Sequence, residues 1–133
     1  MHYGGRLENC LGKVYACRHE IAERFYELLF EAYPDARNLF RNDHHKQLEM
    51  FSMMVAMIAR YAATGQEPAD MAKHVRAHHK GLAIGRSTFL RGGVLLRQAY
   101  LDVLGDRIDD FEATLLTDVI GKLTMIIAED ASE

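Results

Sequence analysis

The sequence predicts an all-α protein, and three observations support this prediction. Apolar residues recur at three- and four-residue steps along nearly all of the 133 residues, which is the periodicity of amphipathic helices. Strand signals are almost absent, because the chain has no alternating polar and apolar segments, no Asn-Gly turn and only 2 prolines. The helices implied by the pattern differ in length, which disfavours a symmetric four-helix bundle. We expect a single domain over residues 1–133.

The first half of the chain predicts two long helical stretches. Leu7 to Tyr33 is long enough for two helices with a break between Cys17 and Glu20. Pro34 ends this stretch, because a proline drives the residue before it out of helical geometry. After the short segment PDARNLFRND, a helix is expected from His44 to Ala62. The inner stripes are expected to hold Val14, Ile21, Phe25, Leu28 and Leu29 in the first stretch, and Leu48, Phe51, Met54 or Val55, and Ile58 in the second.

The second half of the chain begins with helix-breaking residues and ends in two longer helices. The loop ATGQEP leads to Pro68, which suits the first turn of a short helix that stops near Gly81. Ser87 is the expected N-cap of a helix that runs to Leu104. Gly105 suits the stop, and Asp109 or Asp110 opens a last helix that ends near Glu129.

Charge and hydropathy exclude several classes of partner. The net charge of −3 argues against a general affinity for nucleic acid or acidic lipid. The longest apolar stretch, MFSMMVAMIA, is about half of the ~20 residues that span a bilayer, and MHYGGRLENC lacks the pattern of a signal peptide. We therefore expect a cytoplasmic protein that binds neither nucleic acid nor membrane.

The two cysteines, Cys10 and Cys17, lie two helical turns apart on one side of the first helical stretch. This separation of roughly 10 Å along the axis is too long for a disulfide. Half of a metal site is one interpretation, and a pair of buried or half-buried structural thiols is the one that we favour.

A cluster of three histidines marks the short helix, in the stretch HVRAHHKGLAIG (residues 74–85). A histidine on an apolar face can be a buried imidazole that is hydrogen-bonded to the backbone. His74 and His78 could also hold zinc, but no Cys lies nearby to complete the site. The third interpretation is one neutral imidazole that ligates an iron porphyrin, opposite a wall of aromatic and aliphatic residues.

Two segments carry a family resemblance. In RFYELLFEAYPDARNLF, Tyr26, Phe30 and Phe40 accompany Pro34 at fixed offsets. In IGRSTFLRGGVLLRQAYLDVLG, residues 84–105, a small aliphatic residue precedes a helix start, an aromatic residue, a Leu-Leu pair and Leu-Gly. From about Leu7 to Glu129 the chain resembles the bacterial single-domain globins and the globin part of flavohaemoglobins. The resemblance implies a globin fold, with six to eight helices around a pocket for haem b.

The same resemblance implies roles on both sides of the iron. His79, five residues before Ile84, matches the proximal ligand, with His78 as the rival if the register shifts by one and His74 as a bystander. Tyr26 matches the distal tyrosine that donates a hydrogen bond to the gas. Gln47 matches a distal glutamine, and His44 and His45 are its rivals. If His44 ligated the iron, the resting protein would be six-coordinate.

The residues expected to line the pocket come from most of the chain. Phe51, where the family more often has a smaller aliphatic residue, would narrow the space for the gas. Lys46, Lys80 and Arg86 lie near the expected rim, where cations meet haem propionates. The lining is expected to comprise Phe40, Leu48, Phe51, Val75, Leu82, Ile84, Phe89 and Leu123.

Several functions follow from the resemblance. The first is reversible binding of oxygen or another diatomic gas (NO, CO) at a histidine-ligated iron. The second is an enzymatic conversion of nitric oxide to nitrate with electrons from a separate reductase, because no reductase follows residue 133. A haem-free sensor or interaction module is the third. Ile120 stands where flavohaemoglobins have a tyrosine behind the proximal histidine, which argues against peroxidase-like iron. The sequence leaves open whether the protein is a monomer or a homodimer.

Overall fold

The computed structural model describes residues 4–39, 44–64, 73 and 86–129. Over these residues the chain forms α-helices and short 3₁₀ helices, without a strand. The α-helices are α1 (Gly4–Ala16), α2 (Arg18–Ala32), α3 (His44–Thr64), α4 (Arg86–Leu104) and α5 (Asp110–Glu129), and the 3₁₀ helices are Pro34–Leu39 and Gly105–Arg107. The all-α prediction is confirmed, and the arrangement is consistent with a globin fold. The short helix predicted after Pro68 lies outside the described residues.

The junction between α1 and α2 lies at Cys17, within the predicted break. The Cys17 amide donates to both Lys13 O and Val14 O at 3.1 Å, which closes α1, and Cys17 O accepts from the amide of Ile21 at 2.9 Å, which opens α2. At the far end of α2 the Tyr33 amide donates to Leu29 O at 2.7 Å. Pro34 then begins a 3₁₀ helix instead of extending α2, as its missing amide hydrogen requires.

The junction between α4 and α5 also follows the local sequence. Gly105 has a φ of +48°, a left-handed conformation that glycine adopts without steric cost. Asp109 Oδ1 accepts from the Glu112 amide at 2.8 Å, and Glu112 Oε1 accepts from the Asp109 amide at 3.0 Å. This reciprocal pair is a capping box, and it makes Asp109 the cap of α5.

The predicted start of α4 is wrong by two residues. The helix begins at Arg86, so Ser87 lies inside the first turn and is not the N-cap. A capping preference of about 1 kcal/mol biases where a helix starts without fixing it.

The helices pack around one core. The hairpin of α4 and α5 packs against α2 through α4 and against α3 through α5, while α3 also contacts α1 and α2. The predicted stripes face this core: Val14, Ile21, Phe25, Val55 and Ile58 are buried, and Leu28, Leu29, Leu48, Phe51 and Met54 are half-buried against them. None of the helices in the described ranges is long and apolar enough to cross a membrane.

Both cysteines are buried free thiols, as predicted. Burial, and then the charge of Glu112, raise the pKa of the Cys10 thiol to about 11. Cys17 Sγ accepts a hydrogen bond from Arg107 Nη1 at 2.7 Å. Each thiol thus belongs to a polar contact between the start of the chain and the α4–α5 junction.

Tyr100 links α4 to α3 inside the core. Its side chain is fully buried, and its hydroxyl donates to Val55 O at 2.6 Å. Val55 follows Phe51 by one turn of α3, so this bond helps to hold the segment of α3 that faces α2.

Tyr100→Phe is expected to lower the free energy of unfolding by about 1 kcal/mol, because it deletes one buried hydrogen bond while the ring still fills its space. Urea unfolding followed by circular dichroism measures this difference. Tyr15→Phe is the matched control, since the Tyr15 side chain is 50% exposed on α1. An equal effect of the two substitutions would contradict the role given to the Tyr100 hydroxyl.

Candidate functional site

Four aromatic side chains meet where α2 crosses α3, and we call them the aromatic cluster: Phe25, Tyr26, Phe30 and Phe51. Tyr26 and Phe30 are four residues apart and are therefore neighbours on α2, and the Phe25 ring meets the Tyr26 ring edge-on with centroids 5.5 Å apart. Phe51 comes from the facing side of α3. The cluster therefore joins residues that are about 25 positions apart in the sequence.

The rings of the aromatic cluster hold one another in defined orientations. Phe25 and Phe51 stack with centroids 4.6 Å apart and planes 6° from parallel. Tyr26 contacts Phe51 at 5.4 Å with a 58° tilt, and its ring also meets that of Phe30 at 5.7 Å. Each such pair adds about 0.5–1.5 kcal/mol to ordinary burial. The cluster is consequently an apolar wall where α2 contacts α3.

Tyr26 is the polar member of this wall. Its side chain is 5% exposed, and burial raises the pKa of its phenol well above the usual range. The phenol is therefore neutral over the physiological pH range and keeps its proton. A buried neutral phenol in an apolar wall is a hydrogen-bond donor suited to a small polar or partly anionic ligand.

The start of α3 provides the other predicted distal residues. Gln47 is half-buried one turn before Phe51, and Leu48 packs against the core beside it. Lys46 and the rival His45 are exposed. His44 is the first residue of α3, and its side chain lies outside the description.

The remaining predicted pocket residues divide into two groups. Phe89 on α4 is half-buried against the core, Leu123 on α5 is buried in it, and Arg86 is half-buried at the start of α4. The proposed iron ligand His79 lies outside the described residues, as do its rivals His74 and His78. The same holds for Phe40, Val75, Lys80, Leu82 and Ile84.

Phe25 is a member of the aromatic cluster that the sequence indicated only as core. The sequence places Phe25 in the apolar stripe of α2. Such a stripe does not distinguish a residue that lines a cofactor pocket from a residue of the hydrophobic core. Its parallel stack on Phe51 depends on how closely α2 and α3 approach, and helical periodicity does not encode that distance.

The aromatic cluster has the composition that one side of a porphyrin pocket requires. A flat macrocycle needs a broad apolar wall with few donors near its free axial position, and the cluster offers four rings with one buried phenol. Within the described ranges, no group of three or more His, Cys, Asp or Glu side chains could hold a metal ion. A haem needs only one such ligand from the protein.

Comparison with known proteins finds a similarity to a longer protein. Over 118 residues, or 86% of its length, the chain is 25% identical to a flavohemoprotein of Rhizobium meliloti (strain 1021). The chain spans 29% of the length of that protein. No protein-family model matches the chain, and no solved structure matches it significantly. The similarity is distant, and together with the helical architecture it supports a globin-like relationship.

Proposed function

We propose that the chain is a haem-binding globin that reversibly binds oxygen or another diatomic gas. The observation that carries this proposal is the buried Tyr26 phenol, packed 5.4 Å from the Phe51 ring in an otherwise apolar wall. The distant similarity to a flavohemoprotein supports the same conclusion.

His79 would ligate the iron of haem b, and the aromatic cluster would form the opposite wall. Phe40, Leu48, Val75, Leu82, Ile84, Phe89 and Leu123 would complete the lining. Lys46, Lys80 and Arg86 would meet the propionates, each such exposed pair contributing about 0–1 kcal/mol. The bound haem would supply the iron centre that binds the gas.

The distal residues would decide how long a gas stays bound. The Tyr26 phenol would donate a hydrogen bond to the gas, and Gln47, one turn before Phe51, would assist. Phe51, fixed by its stack on Phe25, would restrict the space above the haem to small ligands.

Nitric oxide dioxygenation with a separate reductase is the second candidate function. It is favoured by the similarity to a flavohemoprotein, and it would use the same distal residues. Multiple-turnover consumption of nitric oxide by the chain with a reductase present would favour it over simple gas binding.

Absorption spectra of the ferric, ferrous and carbonylated protein test the proposal. We expect a Soret band that shifts on reduction and again on addition of carbon monoxide. A resting spectrum of the six-coordinate type would indicate an internal distal ligand such as His44. A purified chain that shows no Soret band even after incubation with haem would refute the proposal and favour a haem-free module.

Tyr26→Phe is expected to speed oxygen dissociation by about 10- to 100-fold, since a hydrogen bond to a partly charged acceptor contributes about 1.5–3 kcal/mol. Stopped-flow displacement of oxygen by carbon monoxide measures the rate. Tyr15→Phe makes the same chemical change at an exposed site and should leave the rate unchanged. Equal rates for Tyr26→Phe and the unaltered chain would mean that the phenol does not face the gas.

A further inference from the structure

Three methionines follow one another along the outer face of α3, and we call them the methionine stripe: Met50, Met53 and Met57. They belong to the segment MFSMMVAM, residues 50–57, which holds 4 of the 7 methionines of the chain. Residues spaced by three and then four positions fall within an arc of about 60° on a helix, so these side chains leave α3 on one side. Met50 and Met53 are 39% and 51% exposed, and Met57 is half-buried.

The fourth methionine of this segment, Met54, lies at the edge of α3 that borders the core. It is half-buried against the core and precedes the fully buried Ile58 by one turn. Met57 has exposed neighbours on its own face instead, Met53 one turn before it and Arg60 three residues after it. The stripe therefore consists of Met50, Met53 and Met57, without Met54.

The methionine stripe is short and is bounded by charged side chains. Lys46 lies one turn before Met50, Arg60 lies about one turn after Met57, and both are exposed. The apolar stretch between them is about 10 Å long. Three side chains over this length cover far less than the roughly 800 Å² per partner that a specific protein interface buries. The stripe is therefore suited to a small ligand.

The chemistry of the stripe selects a soft metal ion. A thioether sulphur is a neutral, polarisable donor, and among the metals of proteins it favours copper(I). Calcium and magnesium ions require several oxygen ligands instead. The carboxylate next to the stripe, that of Glu49, already pairs with His19 Nε2 at 2.9 Å. The donors on this face thus match a soft monovalent cation and do not match a hard divalent one.

The spacing of the stripe lets three sulphur atoms approach one ion while the backbone of α3 keeps its course. Met53 lies between Met50 and Met57, about 5–6 Å from each along the helix axis. A methionine side chain has three rotatable bonds, so the outer two side chains can lean toward the middle one. Glu49 lies one turn before Met53, where its negative charge offsets the cations at the two ends of the stripe.

We propose that the methionine stripe binds one copper(I) ion through the thioether sulphurs of Met50, Met53 and Met57. Each sulphur donates a lone pair to the ion, and no proton is released and no electron is transferred. The proposal does not depend on whether haem is bound. The Phe51 ring of the aromatic cluster stacks on Phe25 of α2, whereas the stripe lies on the outer face of α3.

Silver(I), which has the softness and charge of copper(I) and resists oxidation, is the first probe. The full chain, labelled with carbon-13 at its methionine methyl groups, is titrated with silver nitrate in chloride-free buffer and followed by proton–carbon correlation spectra. The signals of Met50, Met53 and Met57 are expected to move together with a single affinity. Met50→Leu, Met53→Leu and Met57→Leu each remove one signal and thereby assign it. Each is expected to weaken silver binding about tenfold or more, because even changes outside the ligand set of a metal cost about 10–100-fold.

Two other methionines provide matched controls. Met54→Leu makes the same change in the same helix, and Met125→Leu makes it at a 49% exposed position of α5. Both should leave the affinity for silver unchanged. Leucine conserves the volume of methionine, and circular dichroism verifies that each variant is folded. The proposal is overturned if the three signals of the stripe stay in place, or if Met54→Leu weakens binding as much as Met53→Leu.

Two further measurements define the donor and the ion. A thioether carries no proton, so the affinity for silver should be equal at about pH 5.5 and pH 7.5, whereas a histidine or thiol site weakens in acid. Copper(I), added under nitrogen as its acetonitrile complex, is expected to shift the same three signals, and calcium should shift none of them. A loss of silver affinity in acid, or silver shifts that copper(I) does not reproduce, would overturn the assignment.

Discussion

His79→Ala is expected to abolish stable haem incorporation. The imidazole nitrogen is the one protein ligand that the proposed site gives to the iron, and without it the haem is held only by apolar contacts and exposed propionate pairs. The ratio of Soret to protein absorbance after reconstitution with excess haem and desalting measures the loss. Added imidazole should restore part of the band, because it can replace the missing ligand in the space that alanine leaves.

His74→Ala is the matched control, since it removes a neighbouring histidine of the same short stretch. We expect its spectrum to equal that of the unaltered chain. His78→Ala tests the register: if it empties the pocket while His79→Ala keeps its haem, the proximal ligand is His78. Full haem retention in all three variants would refute proximal ligation from this stretch.

Gly93→Ala is expected to lower the free energy of unfolding by about 1–3 kcal/mol, the usual cost of overpacking a close contact. An added Cβ would collide with Thr124 Oγ1 and would lie 2.6 Å from Thr124 Cγ2 and 2.9 Å from Thr124 Cβ, so α4 and α5 must separate or Thr124 must move. Moving Thr124 would also strain the bond that its hydroxyl donates to Ile120 O at 2.7 Å. Urea unfolding followed by circular dichroism gives the difference.

Gly92→Ala is the adjacent control for this substitution. A Cβ at Gly92 meets nothing within 4 Å, so only the helix propensity changes, and we expect a gain of up to about 1 kcal/mol. Thr124→Ala in the Gly93→Ala background removes two of the three crowded atoms and should recover part of the loss. Equal stabilities of Gly92→Ala and Gly93→Ala would mean that α4 and α5 do not approach closely there.

Much of the architecture was predictable from local signals. The break at Cys17, the end of α2 before Pro34, the stop at Gly105 and the opening of α5 by Asp109 each depend on a few adjacent residues. These signals act through backbone geometry within one or two turns, so they can be recognised without tertiary contacts. Local signals did not locate every helix end: the capping preference of Ser87 did not predict the start of α4 correctly.

The residues of the candidate site were more predictable from the sequence than their arrangement in space. The family resemblance singled out Tyr26 and Phe51, and the structure brings their rings to 5.4 Å. It did not single out Phe25, whose stack on Phe51 depends on how α2 meets α3. The proximal half of the site, including His79, stays a prediction, because it lies outside the described residues.

The sequence by itself determined an all-α chain, most of its helix limits and the apolar faces that meet in the core. Only the tertiary structure decided which faces meet and how closely: Tyr100 against the Val55 carbonyl, Gly93 against Thr124, and an α4–α5 face with exposed apolar side chains. The physical reason is the separation in sequence over which each kind of interaction acts. Helix formation depends on neighbours three or four residues away, whereas these contacts join residues 31 to 45 positions apart and depend on the packing of whole helices.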